Sequence, residues 1–133
     1  MKESQQIVSL IEKLKILGDP VRFRIARIVA NRPLSVNEIT EILRIPQPTV
    51  SRKLAELKRV DILTFEKDGK QIFYSISQDF NNKFPLLRNL LVSAQAREFT
   101  SDLEKIHSVI RKRSVKKVQK IPTPPRLYSS DDK

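Results

Sequence analysis

The hydrophobic pattern of this 133-residue chain changes period twice, and those changes limit what it can become. From Ile7 to Leu57 the apolar residues recur at helical spacing. From Leu63 to Ile76 they alternate, and from about Pro85 helical spacing returns. The alternating stretch is long enough for one hairpin, so the expected fold is a helical domain carrying a single β-ribbon.

The helical parts are punctuated by local signals. Ile7, Leu10, Ile11, Leu14 and Leu17 make an amphipathic stripe over residues 4–17, ended by Gly18. Asp19-Pro20 restarts the chain, Asp as an N-cap and Pro in the first helical position. The helix that follows points Val21, Ile25, Ile28 and Val29 inward and stops at Asn31-Arg32-Pro33. Ser35 and Glu38 form a capping box for a short helix bearing Val36, Ile39, Ile42 and Leu43. Arg44-Ile45-Pro46 is a turn, and a further helix runs from Gln47 to about Arg59 with Val50, Leu54 and Leu57 inward.

After Asp61 the runs Leu63–Lys67 and Lys70–Ile76 read as strands, with Asp68-Gly69 as a two-residue turn. That turn sets Phe65 opposite Ile72 and Leu63 opposite Tyr74. The last apolar series, Leu86 through Ile110, is one long helix or two; Ser101 with Glu104 suggests a break near Phe99–Ser101. A short helix, a tight turn, a second helix and then a hairpin is the winged helix-turn-helix plan. The expected class is therefore mainly α with a β-hairpin wing. Residues 1–112 are expected to form one domain, and the basic, Pro-containing residues 113–133 a disordered tail.

Charge and residue usage narrow the function classes. The formal net charge is +11, which points to a polyanionic partner or, more plainly, to a Lys-rich soluble surface. The absence of cysteine excludes disulfides, zinc–thiolate sites and thiol nucleophiles. No apolar run approaches the ~20 residues of a membrane span and no signal-peptide core is visible, so a cytoplasmic protein with no membrane partner is expected. There is no Ser/His/Asp set and no Gly-rich phosphate loop, so no enzyme and no cofactor is read here.

Three motifs in order carry a family resemblance. Leu17-Gly18-Asp19-Pro20-Val21-Arg22-Phe23-Arg24-Ile25 resembles the opening of the ArsR/SmtB repressors of bacteria and archaea. Gln47-Pro48-Thr49-Val50-Ser51-Arg52-Lys53-Leu54 is similar to their recognition helix, and Glu66–Tyr74 to their wing. The resemblance spans about residues 7–95. It implies a transcriptional regulator that binds double-stranded DNA as a homodimer through its first and last helices. The apolar residues available for such pairing are Ile7, Leu10, Ile11, Leu14, Leu87, Leu90, Leu91 and Ala94. Ser35 and Asn37 stand where metal-sensing relatives carry cysteines, and the only histidine, His107, has just Asp102 and Glu104 near it, so no metal site is expected. A small-molecule effector is not legible.

A recognition helix sets its N-terminal side chains on base edges. Gln47, Thr49 and Arg52 are the expected base readers, since Gln suits adenine and Arg guanine; Pro48 lies beside them. Ser51, Lys53 and Lys58 are expected nearer phosphate, with Lys67 and Lys70 at the wing tip. Ser35, foremost a helix cap, is a further candidate for phosphate. The plain alternative for all of them is a solvated polar surface. The cluster Arg111, Lys112, Arg113, Lys116, Lys117 and Lys120 reads equally as a non-specific grip on DNA or as a solvated tail. Three rivals stay open: an architectural DNA coat, a protein-interaction winged helix, and a sensor of a small organic ligand.

Overall fold

Asp19 opens the central helix of the molecule. Its backbone is extended (φ −98°, ψ 131°), its carboxylate accepts the Arg22 backbone N–H at 2.9 Å, and Pro20 fills the first turn. This helix, α2 (Pro20–Asn31), follows α1 (Lys2–Leu17). After it come β1 (Leu34–Ser35), α3 (Val36–Leu43), α4 (Gln47–Arg59), β2 (Leu63–Asp68) and β3 (Gln71–Ile76). The chain then adds α5 (Gln78–Lys83), α6 (Pro85–Val92) and α7 (Arg97–Lys116). The structure is a computed structural model describing residues 2–93 and 97–116, with side chains for 4–93 and 101–113.

The core is built around α2. Ile25 and Ile28 are fully buried against Ile39 and Ile42 of α3 and Val50, Leu54 and Leu57 of α4. Ile62, Leu63 and Ile76 close it from the sheet, with Phe80, Leu91 and Ile106 from the later helices. Each such side chain contributes about 1.5–3 kcal/mol by leaving water. The capping box expected at α3 is present: Ser35 Oγ accepts the Glu38 N–H at 3.2 Å, and Glu38 accepts the Ser35 N–H at 3.0 Å.

The turn between α3 and α4 is made by Arg44, which sits in the left-handed region (φ 58°) and donates its N–H to the Thr40 carbonyl. Helix α4 ends in a Schellman motif. Ile62 N–H returns to the Leu57 carbonyl and Asp61 N–H to that of Lys58, both at 3.0 Å, with Asp61 in the left-handed position (φ 62°). The buried Leu57 and Ile62 supply the apolar contact of that motif and fix the direction in which the wing departs.

The sheet has three strands in the order β1-β3-β2, all antiparallel. Leu34 and Ser35 add the unexpected short strand β1 beside Tyr74 and Phe73. The hairpin register differs from the sequence expectation. Asp68 pairs with Gln71, so Gly69-Lys70 is the loop; Phe65 faces Tyr74 and Leu63 faces Ile76. Gly69 has φ +67° while Lys70 does not join the positive-φ residues, which fits a type II′ turn with Gly first. The shift is two residues on one strand, so the side chains keep their faces.

Three other features differ from the sequence reading. The late helical stretch does break, but between Val92 and Arg97, and Ser101 lies inside α7 rather than capping it. The six-residue α5, capped by Ser77 on the Phe80 N–H, has no counterpart in the sequence reading. The folded chain also runs past 112: Arg113 is inside α7, which continues to Lys116, and residues 117–133 lie outside the described residues.

Candidate nucleic-acid interface

Helix α4 presents two unlike sides. Val50, Leu54 and Leu57 are fully buried, whereas Gln47, Pro48, Arg52, Ala55, Lys58 and Arg59 are exposed. Thr49 and Ser51 are half-buried at the edges. Pro46 caps the helix without a side-chain hydrogen bond, and its carbonyl takes the N–H groups of Thr49 and Val50. Arg52 Nη2 lies 3.4 Å from Thr49 Oγ1, which aligns the guanidinium along the outer face toward the first turn.

The wing stands beside this face. Lys58 Nζ sits 5.1 Å from the centroid of the Phe65 ring, which packs on Tyr74 with centroids 5.8 Å apart. These contacts join the end of α4 to the ribbon. Lys67 and Lys70 are exposed at the ribbon's far end. The structure therefore gathers Gln47, Pro48, Thr49, Ser51, Arg52 and Lys58 on one helix and sets Lys67 and Lys70 at the tip of the adjoining hairpin.

Two candidates sit differently. Lys53 is half-buried and turns toward the start of α2, with Nζ 3.6 Å from Asp19 Oδ2. Ser35 is buried, with its hydroxyl in the α3 cap, so its side chain offers no open face to a phosphate. Of the basic cluster at the chain's end, Lys112 pairs with Glu41 and Arg113 with Glu38. Asp102, considered beside His107, is buried and bonded to Arg24, Oδ1 to Nη2 at 3.0 Å. Among the described residues no group of three or more His, Asp or Glu is placed to hold a metal ion.

The apolar surface divides the dimer candidates. Ile7, Ile11, Leu14 and Leu90 are exposed, while Leu10 and Leu87 are half-buried. Leu91 is fully buried in this chain's own core, because its side of α6 faces α2; it is inner packing and not part of an outer face. Ala94 lies outside the described residues. Two residues that the sequence reading did not select, Val8 on α1 and Leu86 on α6, are also exposed. Lys13 of α1 lies over the Phe84 ring at the α5–α6 junction (5.3 Å), which places the inner side of α1 against the start of α6.

Sequence reasoning missed the residues that hold α4 in place. Arg22 Nη1 reaches Glu56 Oε1 at 2.6 Å, and Arg22 Nε reaches the Ile16 carbonyl at 2.6 Å. Asp19 is held below its ordinary pKa of 3.8, first by the Arg22 backbone N–H and then by the charges of Lys53 and Arg22, with burial opposing. Only the Asp19–Arg22 cap has a local signal; Glu56 carries none, being 34 positions from its partner.

Comparison with known proteins agrees with this geometry. Residues 17–64 match the family described as a helix-turn-helix domain. The HTH-type transcriptional regulator KmtR of Mycobacterium tuberculosis is 32% identical over 74 residues, covering 56% of this chain and 57% of that protein. The HTH-type transcriptional repressor SmtB of the same species is 33% identical over 66 residues, covering 50% and 49%. The chain thus spans about half the length of these two relatives. The transcriptional repressor PagR of Bacillus anthracis is 36% identical over 67 residues, covering 50% of this chain and 67% of that protein. The crystal structure of PagR superimposes with a TM-score of 0.57 at 27% identity, covering 66% of this chain and 94% of that one. These relatives are regulators and not enzymes, and no described helix is long and apolar enough to cross a membrane. With its helix-turn-helix, its hairpin wing and these relatives, the chain belongs to the ArsR/SmtB family of winged helix-turn-helix transcriptional regulators.

Proposed function

We propose that this chain is a sequence-specific repressor that binds double-stranded DNA as a homodimer at an inverted-repeat operator. The observation that carries the reading is the two-sided α4: its apolar side is anchored at full burial, and Gln47, Pro48 and Arg52 stand uncovered on the other. A helix so held is rigid enough to enter a major groove without losing packing. Gln47, Thr49 and Arg52 would read bases, while Ser51, Lys58, Lys67 and Lys70 would meet phosphates or the minor groove. Lys53, paired with Asp19, serves orientation more than contact.

Pairing of two copies is supported by the exposed aliphatic surface of α1 and α6, where Ile7, Val8, Ile11, Leu14, Leu86 and Leu90 face solvent. A monomer gains nothing from leaving so much apolar area wet. A twofold pair would set two α4 helices about one helical turn of DNA apart, roughly 34–36 Å.

The test is selection of duplexes from a random pool by the purified protein, followed by footprinting. The proposal expects an enriched inverted repeat with protected half-sites one turn apart. Enrichment of no sequence would point instead to the architectural role that the net charge of +11 also suits.

A further inference from the structure

The last described turn of α7 reaches a junction of the helix-turn-helix and the wing, where β1 at the start of α3 pairs with β3. Arg113 donates from Nε to Glu38 Oε2 at 2.6 Å and from Nη2 to Glu38 Oε1 at 2.7 Å. Nη2 also donates to the Pro33 carbonyl at 3.0 Å. The same guanidinium lies over the Phe73 ring, 5.1 Å from its centroid. One turn along α3, Glu41 pairs with Lys112. Both side chains of the Arg113–Glu38 pair are mostly covered, at 16% and 15% exposure.

Glu38 is not a free carboxylate. Its Oε1 already accepts the Ser35 N–H in the α3 capping box. Ser35 and Leu34 are β1, and β1 pairs with Phe73 and Tyr74 of β3. Arg113 therefore closes a ring of contacts through the start of α3, strand β1 and the root of the wing. Phe73 is buried there, on the sheet face opposite Leu63 and Ile76, so the guanidinium covers the side that the main core does not reach.

We infer that Arg113 is a positioning residue for DNA binding: it sets the angle of the wing against α3 and α4 so that Lys67 and Lys70 meet the same duplex as the recognition helix. The inference rests on the DNA-binding reading above. A two-stranded ribbon is marginal alone, and β1 adds only two residues at its base. Between Phe73 and the loop the ribbon extends roughly 7–10 Å at ~3.3 Å per residue, so a tilt of ~10° at the root moves the tip by more than 1 Å. A phosphate hydrogen bond tolerates little of that. Arg suits the task because its planar fork grips both carboxylate oxygens while its face stacks on the ring; Lys would give a point charge.

The experiment is a double-mutant cycle on duplex affinity, with wild type, Arg113→Ala, the pair Lys67→Ala/Lys70→Ala, and the triple variant on the selected site. Positioning through the wing predicts a loss of roughly tenfold for Arg113→Ala when the wing lysines are present, and little further loss once they are gone. Arg113→Lys should restore only part of it, and that variant carries the same cycle if the alanine form does not fold. Equal losses in both backgrounds, no loss at all, or wing lysines without effect would each overturn the inference. Failure of the wild type to retain any duplex is a separate result, which removes the DNA-binding reading together with this one.

Discussion

Arg22 of α2 and Glu56 of α4 meet at 2.6 Å across 34 positions of sequence, and the same Arg22 also donates to the carbonyl of Ile16 near the end of α1. One side chain therefore ties the end of the first helix to the back of α4. Glu56 is 39% exposed and Arg22 17%, so the two partners are not equivalent. Glu56→Gln should cost less than ~1 kcal/mol, as screened pairs do. Arg22→Ala should cost about 1–3 kcal/mol, because it also strands a part-buried carbonyl. Urea unfolding of both variants checks that order.

Adjacent leucines on α6 should behave in opposite ways. Leu91 is fully buried and Leu90 is 51% exposed. Leu91→Ala should lower the stability of the fold by about 2–5 kcal/mol. Leu90→Glu combined with Ile11→Glu should leave secondary structure unchanged and convert a dimer to monomers in sedimentation. A monomeric wild type would remove the pairing half of the proposal.

Acid should loosen the start of α2. The Asp19 carboxyl is held below its ordinary 3.8, chiefly by the Arg22 backbone N–H. A carboxylate whose folded pKa is depressed adds stability above its unfolded pKa, and that stability is lost as pH falls through the folded value. Melting temperature should thus decline below about pH 4. Asp19→Asn keeps the cap but cannot titrate, so its curve should be flatter over that range.

The hairpin turn gives a prediction free of packing. Gly69 has φ +67° and open space where a Cβ would stand. Gly69→Ala should therefore cost only the backbone penalty of that turn position, about 1–3 kcal/mol. A larger loss in thermal unfolding would mean that the loop touches something else.

What was legible in the sequence was what is local. The caps at Asp19 and Ser35, the inward stripes of α2, α3 and α4, and the wing all follow from spacings within a few residues. The hairpin register departs from the sequence expectation because Asp68-Gly69 has the composition of a complete two-residue loop, whereas Asp68 pairs with Gln71. Helix α5 is too short to show a period, and its only signal is Ser77 three residues before the buried Phe80. Leu91 belongs to an apolar stripe whatever covers it, so its burial depended on where α2 lies. Arg113 read as one cation in a basic run, and nothing nearby in sequence announces Glu38, 75 positions away.

Base reading and phosphate contact should separate in solution. Arg52→Ala should cost about 1–3 kcal/mol on the selected site and relax preference at one base position. Lys70→Ala should weaken all sequences alike and reduce the salt slope by about one unit. Competition binding on a panel of single-base variants, repeated at several salt concentrations, distinguishes the two patterns.

The most direct test of the account is the affinity ratio of the purified protein for its selected inverted repeat over a scrambled duplex of equal length, at one physiological salt concentration. A grooved-in α4 predicts a ratio of about 10³ or more. Equal affinity for both duplexes would contradict it, leaving only a charged surface that holds DNA without reading it.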